Sequence, residues 1–129
     1  MKKSVLIDTD VLVDYLRGYS DAVGYVKAQA EQIILSCIVA AELYAGVRDD
    51  EELDRLDEFL TLFPVLPVTA EVARSAGLYN RDYSNSHGVG LADAIIAATA
   101  EAQEAELKTL NIKHYPMLNG LKPPYVKSY

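Results

Sequence analysis

The chain has 129 residues, half of them hydrophobic and 24% charged, so it can bury one core and is neither disordered nor collagen-like. Its single cysteine, Cys37, excludes a disulfide framework, and no Cys/His cluster reads as a zinc site. The formal net charge of −7 and a pI near 4.7 lack the basic footprint of a common nucleic-acid binder. Acidity of this kind also suits a pocket of metal-binding carboxylates or a surface that meets a basic partner.

After Lys2 and Lys3 only a few apolar residues precede Asp8 and Asp10, well short of the ~7–15 that a signal peptide needs. Val5-Leu6-Ile7 reads as a buried strand ending at Asp8. Residues 10–17 read as a helix with Val11, Leu12, Tyr15 and Leu16 on one face and Gly18 as its stop. Ser20 can cap a second helix running towards Glu31. Ile33-Ile34-Leu35 is a second strand, and Ser36 can cap a helix that carries Glu42 and ends near Gly46. Residues 50–63 show the clearest amphipathic stripe, Leu53, Leu56, Phe59, Leu60 and Phe63, closed by Pro64.

Val65-Leu66-Pro67-Val68 is a short strand, and the proline places it at an edge or a strand end. Thr69 can cap a helix through about Asp82, and residues 83–90 read as a polar, glycine-containing loop. Residues 91–105 form a helix with almost no polar face, which belongs in the middle of a fold. Leu107-Lys108-Thr109-Leu110 is a last strand, followed by an irregular tail at Pro123-Pro124. Strands alternate with helices throughout, which predicts an α/β sandwich with a mostly parallel sheet in one domain spanning residues 1–129. In such sheets ligands bind beyond the carboxyl ends of the strands. The longest nearly uncharged apolar run, residues 33–41, is too short to span a bilayer, so a soluble, cytoplasmic protein is expected.

The candidate chemistry lies in Asp8, Glu42 and Asp93, with Asp10 and Asn111 as further candidates. Asp8 stands at the end of the first strand, where an N-cap is the competing explanation. Asp93 opens the most apolar helix, where a cap is again the simplest role. Glu42 has Ile38, Ala41, Leu43 and Ala45 as helical neighbours, an apolar surrounding in which a charge needs a partner or a route to solvent. Three converging carboxylates would repel one another unless a divalent cation lay between them, and hard oxygen ligands suit magnesium or manganese.

Four segments carry a family resemblance. Residues 5–18, Val-Leu-Ile-Asp-Thr-Asp-Val-Leu-Val-Asp-Tyr-Leu-Arg-Gly, resemble the opening motif of PIN-domain toxins of the VapC type. Residues 38–46, 91–98 and 107–115 resemble the second, third and fourth motifs, in the family's order, and the tail from Pro116 to Tyr125 also fits. The resemblance implies a three-layer α/β/α sandwich and a Mg2+- or Mn2+-dependent endoribonuclease, the toxin of a prokaryotic toxin–antitoxin pair. It places Asp8, Glu42 and Asp93 at the family's acidic positions. Asn111 stands at the fourth, usually an aspartate, which bears on whether one or two metals bind. Thr9 and Thr109 match small hydroxyl positions beside the site, and Arg17 a basic position near it. The implied partners are an RNA substrate, a second copy of the chain, and an antitoxin whose basic tail meets the carboxylates, anchored along Leu12, Tyr15 and Leu16.

Two other readings begin from the same residues. Asp8-Thr9-Asp10-Val11-Leu12 also resembles the opening of haloacid-dehalogenase-like phosphatases, but no acidic pair follows a late strand. A PIN-like fold that only docks a partner is compatible with Asn111 and the acidic surface, whereas the retained Asp8, Glu42 and Asp93 speak against it. His87 and His114 lack ligand-spaced partners and read as surface residues, Cys37 reads as a packed side chain, and most of the nine tyrosines read as core or rim.

Overall fold

The computed structural model describes residues 2–127; Met1, Ser128 and Tyr129 lie outside them. Four strands, β1 (Val5–Ile7), β2 (Ile33–Ser36), β3 (Val65–Leu66) and β4 (Glu106–Lys108), form one sheet in the order β3-β2-β1-β4. Every pairing is parallel. Parallel strands need long crossovers, and helices supply them. These are α1 (Thr9–Leu16), α2 (Ser20–Gln29), α3 (Cys37–Ala45), α4 (Asp50–Leu60), α5 (Ala70–His87) and α6 (Leu91–Ala102). The result is the expected three-layer α/β/α sandwich.

The β1 residues are all buried, as a strand covered on both faces requires. They join Leu12, Leu35, Val39, Ile96 and Leu107 in the main core. A smaller apolar cluster, Val72, Ala76, Val89, Ala94 and Ala98, packs the α5–α6 pair. The near-continuous apolarity of α6 is explained by its burial, with Ile96 and Ala97 inaccessible to solvent.

Several boundaries differ from expectation. Helix α4 stops at Leu60, not Phe63, with Thr61 as C-cap. Pro64 would clash with the Leu60 carbonyl of a continuing helix and turns Phe63 away from helical backbone. Phe63 still meets Phe59 edge-on at 5.2 Å, so the apolar stripe outlasts the helix. Helix α5 runs into the segment read as a loop and ends at His87, leaving residues 88–90 as the connection. Its stop is Gly88 in the left-handed region at φ 64, whose N–H donates to the Ser84 carbonyl. Tyr83 and His87 meet in an edge contact one turn apart, which the polar composition of the segment concealed. Ser20 is the first residue of α2, and no side chain caps that helix. No helix among the described residues is long and apolar enough to cross a membrane.

Candidate active site

The site forms where two neighbouring strands end. The register pairs Ile7 with Lys108, so the next residues, Asp8 and Thr109, emerge side by side. The Asp8 N–H prolongs the ladder by donating to the Lys108 carbonyl at 2.9 Å. Both side chains are buried, Asp8 at 7% exposure and Thr109 at 0%. Asp8 divides its carboxylate between two tasks. Oδ1 accepts from the Thr9 amide at 2.8 Å and so caps α1. Oδ2 accepts from the Thr109 hydroxyl at 2.7 Å and from the Tyr115 hydroxyl at 2.8 Å. The capping role and a role in a site therefore coexist in one residue.

Asp93 reaches the same place from α6. The N-cap of that helix is Gly90, which puts Asp93 in the first turn, where the helix dipole favours its charge. Its carboxylate does not serve as the cap, the competing explanation for an aspartate at this place. Oδ1 lies 3.4 Å from the Tyr115 hydroxyl, and Oδ2 lies 3.3 Å from His114 Nδ1. Asp8 and Asp93 thus flank a single hydroxyl oxygen. Burial, and after it the charge of Asp8, pushes the Asp93 carboxyl above its ordinary range.

Asp10 joins the cluster from the first turn of α1. Its Oδ1 accepts from the Val11 amide at 2.7 Å and its Oδ2 from the Leu110 amide at 3.0 Å. Burial first, and repulsion from Asp8 second, lift its carboxyl to about 6.

Glu42 finds both a route to solvent and a partner. It is exposed, as are Ala41, Tyr44 and Ala45, while Val39, Ala40 and Leu43 are buried. Apolar residues surround α3 on all sides, so the sequence carries no sign of which face turns inward. Glu42 Oε1 accepts from the Thr9 hydroxyl at 2.8 Å, one residue from Asp8. Thr9 therefore ties α1 to α3 across the mouth of the site. Arg17 is the exposed C-cap of α1 and shares with Glu42 a groove of about 540 Å³ between α1, α3 and α4.

Asn111 is exposed, and its backbone N–H donates to Thr109 Oγ1 at 3.0 Å. It lines a cavity of about 410 Å³ with Asp10, Tyr125 and Lys127, which sets it on the Asp10 side of the cluster. The expected anchor also changes. Leu12 is fully buried and the Tyr15 ring stacks on Phe59 at 4.9 Å, so neither offers a free docking face. Of the expected anchor residues Leu16 alone is exposed, and it lines the α1–α3–α4 groove beside the half-buried Val47.

Sequence reasoning misses two residues of the site. Tyr115 reads there as one more core tyrosine, and His114 as a surface residue. A buried tyrosine must find a partner for its hydroxyl, and a tyrosine closing the fourth motif, near a carboxylate-bearing strand end, is the available signal.

Among the described residues, no three His, Cys, Asp or Glu side chains stand in a grouping tight enough to enclose a metal ion. The donors nonetheless have the chemistry for one. They are hard carboxylate oxygens, and burial, followed by repulsion from Asp8, holds the Asp10 and Asp93 carboxyls above their ordinary range. Asp8 and Asp93 could hold a divalent cation, and Glu42 would join them by swinging off the Thr9 hydroxyl.

The PIN domain family model matches residues 5–115. The chain is 40% identical to the ribonuclease VapC10 of Mycobacterium tuberculosis, over 94% of this chain and 92% of that one. It is 42% identical to ribonuclease VapC19 of the same organism, over 93% of this chain and 98% of that one. Among solved structures, a chain of a toxin–antitoxin complex from Klebsiella pneumoniae superposes with a TM-score of 0.82 at 28% identity, covering 95% of this chain and 98% of that one.

Proposed function

The chain belongs to the PIN domain family, and from that premise we propose that it is a metal-dependent endoribonuclease, the toxin of a toxin–antitoxin pair. The observation that carries this reading is the meeting of Asp8 and Asp93 about one hydroxyl beyond the strand ends, with Glu42 one residue away through Thr9. Relatives that match nearly the full length are named ribonucleases, which supports the same chemistry.

Asp8 and Asp93 would hold a Mg2+ or Mn2+ ion, with Glu42 joining them. Such an ion supplies Lewis-acid polarisation of a phosphodiester and makes a water more acidic. The residues of the chain supply orientation and proton handling. Thr109 and Tyr115 fix the Asp8 carboxylate from behind. Glu42, exposed and accepting from the Thr9 hydroxyl, stands at the mouth of the site, on the side from which an attacking water would enter. Arg17, in the groove that Glu42 lines, binds a flanking phosphate. In-line attack by water leaves a 5′-phosphate and a 3′-hydroxyl. Carboxylates read no bases, so selectivity comes from the shape of single-stranded loops.

Asn111 is an auxiliary residue on the Asp10 side, holding water or substrate rather than a second tightly bound metal. The partners are cytoplasmic RNA, a second copy of the chain, and an antitoxin whose tail sets an arginine or lysine against Asp8, Glu42 and Asp93. The solved toxin–antitoxin complex with a similar chain supports the last of these. The test is incubation of the purified chain with tRNA and rRNA in Mg2+ or Mn2+, with a chelator control. Cleavage that the chelator abolishes is expected. Intact RNA under every condition would overturn the reading.

A further inference from the structure

We propose that Tyr115 is a positioning residue for the metal: its hydroxyl locks Asp8 in the orientation that binds a divalent cation, and leaves Asp8 Oδ1 as the oxygen that ligates it. The inference rests on the metal-dependent reading above and adds a residue to it.

An ionised carboxylate offers about two lone-pair directions on each oxygen. On Asp8, Oδ2 uses both, one for Thr109 at 2.7 Å and one for Tyr115 at 2.8 Å. Oδ1 uses one, for the Thr9 amide at 2.8 Å. The remaining direction belongs to Oδ1. Asp8 can therefore offer a cation that oxygen without giving up a bond it already makes.

The phenol is well suited to this task. Tyr115 is 1% exposed and its ring is part of the main core, so its hydroxyl cannot move without disturbing packing. A phenol has one proton. The 2.8 Å separation commits it to Asp8, and the 3.4 Å contact with Asp93 Oδ1 acts as a spacer between the carboxylates. Thr109 restrains the same carboxylate oxygen from the adjacent strand end, so Asp8 is gripped by two elements, β4 and the segment after it. Partners of this kind, which orient a ligating side chain without touching the metal, typically contribute 10- to 100-fold in metal affinity, roughly.

The experiment is isothermal titration of the wild type and Tyr115→Phe with MnCl2, alongside the thermal midpoint of each in metal-free buffer. Phenylalanine fills the same space and removes only the donor. The expected result is a folded variant whose Mn2+ affinity falls by roughly 10-fold or more. A tyrosine with a structural role alone would lower the midpoint and leave Mn2+ affinity within about twofold of wild type. That outcome overturns the inference and leaves the metal reading standing. A wild type that binds no Mn2+ overturns both. Should Tyr115→Phe fail to fold, the unaltered protein labelled with ¹³Cζ-tyrosine serves instead. A Tyr115 resonance that shifts with Mg2+ at the midpoint of binding supports the inference, and one that stays fixed overturns it.

Discussion

Asp8 shows how one residue can be both a structural cap and a reactive group. Its substitution by asparagine is well tolerated by the surroundings for a specific reason. The asparagine oxygen can keep the Thr9 amide, while its amide donates to the Thr109 and Tyr115 oxygens once those hydroxyls turn over. The change also removes a charge that raises both Asp10 and Asp93. Asp8→Asn is therefore expected to lose at least about 100-fold in RNA cleavage while its metal-free thermal midpoint equals or exceeds that of wild type. Paired cleavage assays and thermal melts check this, and full activity in the variant would refute the role given to Asp8.

Burial of these carboxyls, with the same repulsion added, makes a pH prediction. Folded Asp10 sits at about 6 against an ordinary 3.8, and Asp93 is raised too. The folded state thus holds protons that the unfolded chain has already released. Their contribution is full below about pH 4 and is lost as pH rises through about 6, on the order of 2 kcal/mol once solvent screening is allowed for. The metal-free midpoint is expected to fall between about pH 4 and pH 6. Saturating Mg2+ should shrink or reverse the fall, since the ion stabilises the deprotonated carboxylates. Calorimetric melts across that range, with and without Mg2+, decide it.

At the scale of elements, the site depends on where strands and helices stop. Helix α6 must begin where it does for Asp93 to sit in its first turn, and that start is set by the α5–α6 connection. Gly88 ends α5 at φ 64, and an added Cβ there would meet nothing within 4 Å, so the cost of Gly88→Ala is conformational and not steric. A loss of about 1 kcal/mol is expected. That corresponds to a midpoint lower by roughly 4 °C in a domain of this size, measurable by calorimetry. An unchanged midpoint would mean that the connection can relax without the left-handed residue. Thr9, by contrast, links elements through a side chain, tying the start of α1 to Glu42 on α3.

For the whole molecule, the net charge of −7 now has a partial location. Asp8, Asp10 and Asp93 converge in one place, with Glu42 at its mouth. The adjoining groove is mixed, carrying Arg17, Arg48 and Arg55 with Glu42 and Glu52 among apolar residues. Arg48 is committed to Glu52 at 2.7 Å, an exposed pair that contributes little to stability. A synthetic peptide with a central arginine flanked by apolar residues, standing in for an antitoxin tail, is expected to bind more weakly as salt rises. Saturating Mn2+ should also weaken it, because guanidinium and metal would compete for the same carboxylates. Fluorescence titrations at several salt and Mn2+ concentrations test both effects. Indifference to both would place the peptide elsewhere.

The alternation of strands and helices, the parallel sheet and the strand end at Asp8 are legible in the sequence because hydrophobic periodicity and capping residues are local signals. The same holds for Ser36 and Thr69, whose side chains cap α3 and α5 as expected. The ends of α4 and α5 are less legible, since a proline acts on residues ahead of it and a polar helix resembles a loop. Tertiary structure alone decides that Glu42 turns outward, that Asp93 is no cap, and that Asn111 lies with Asp10. It also decides that a tyrosine 107 residues away supplies a donor to Asp8. The physical reason is that composition and period record which residues prefer burial, whereas hydrogen-bond partners and like-charge neighbours depend on sheet register and on where each helix begins. Those quantities exist only once distant segments have packed.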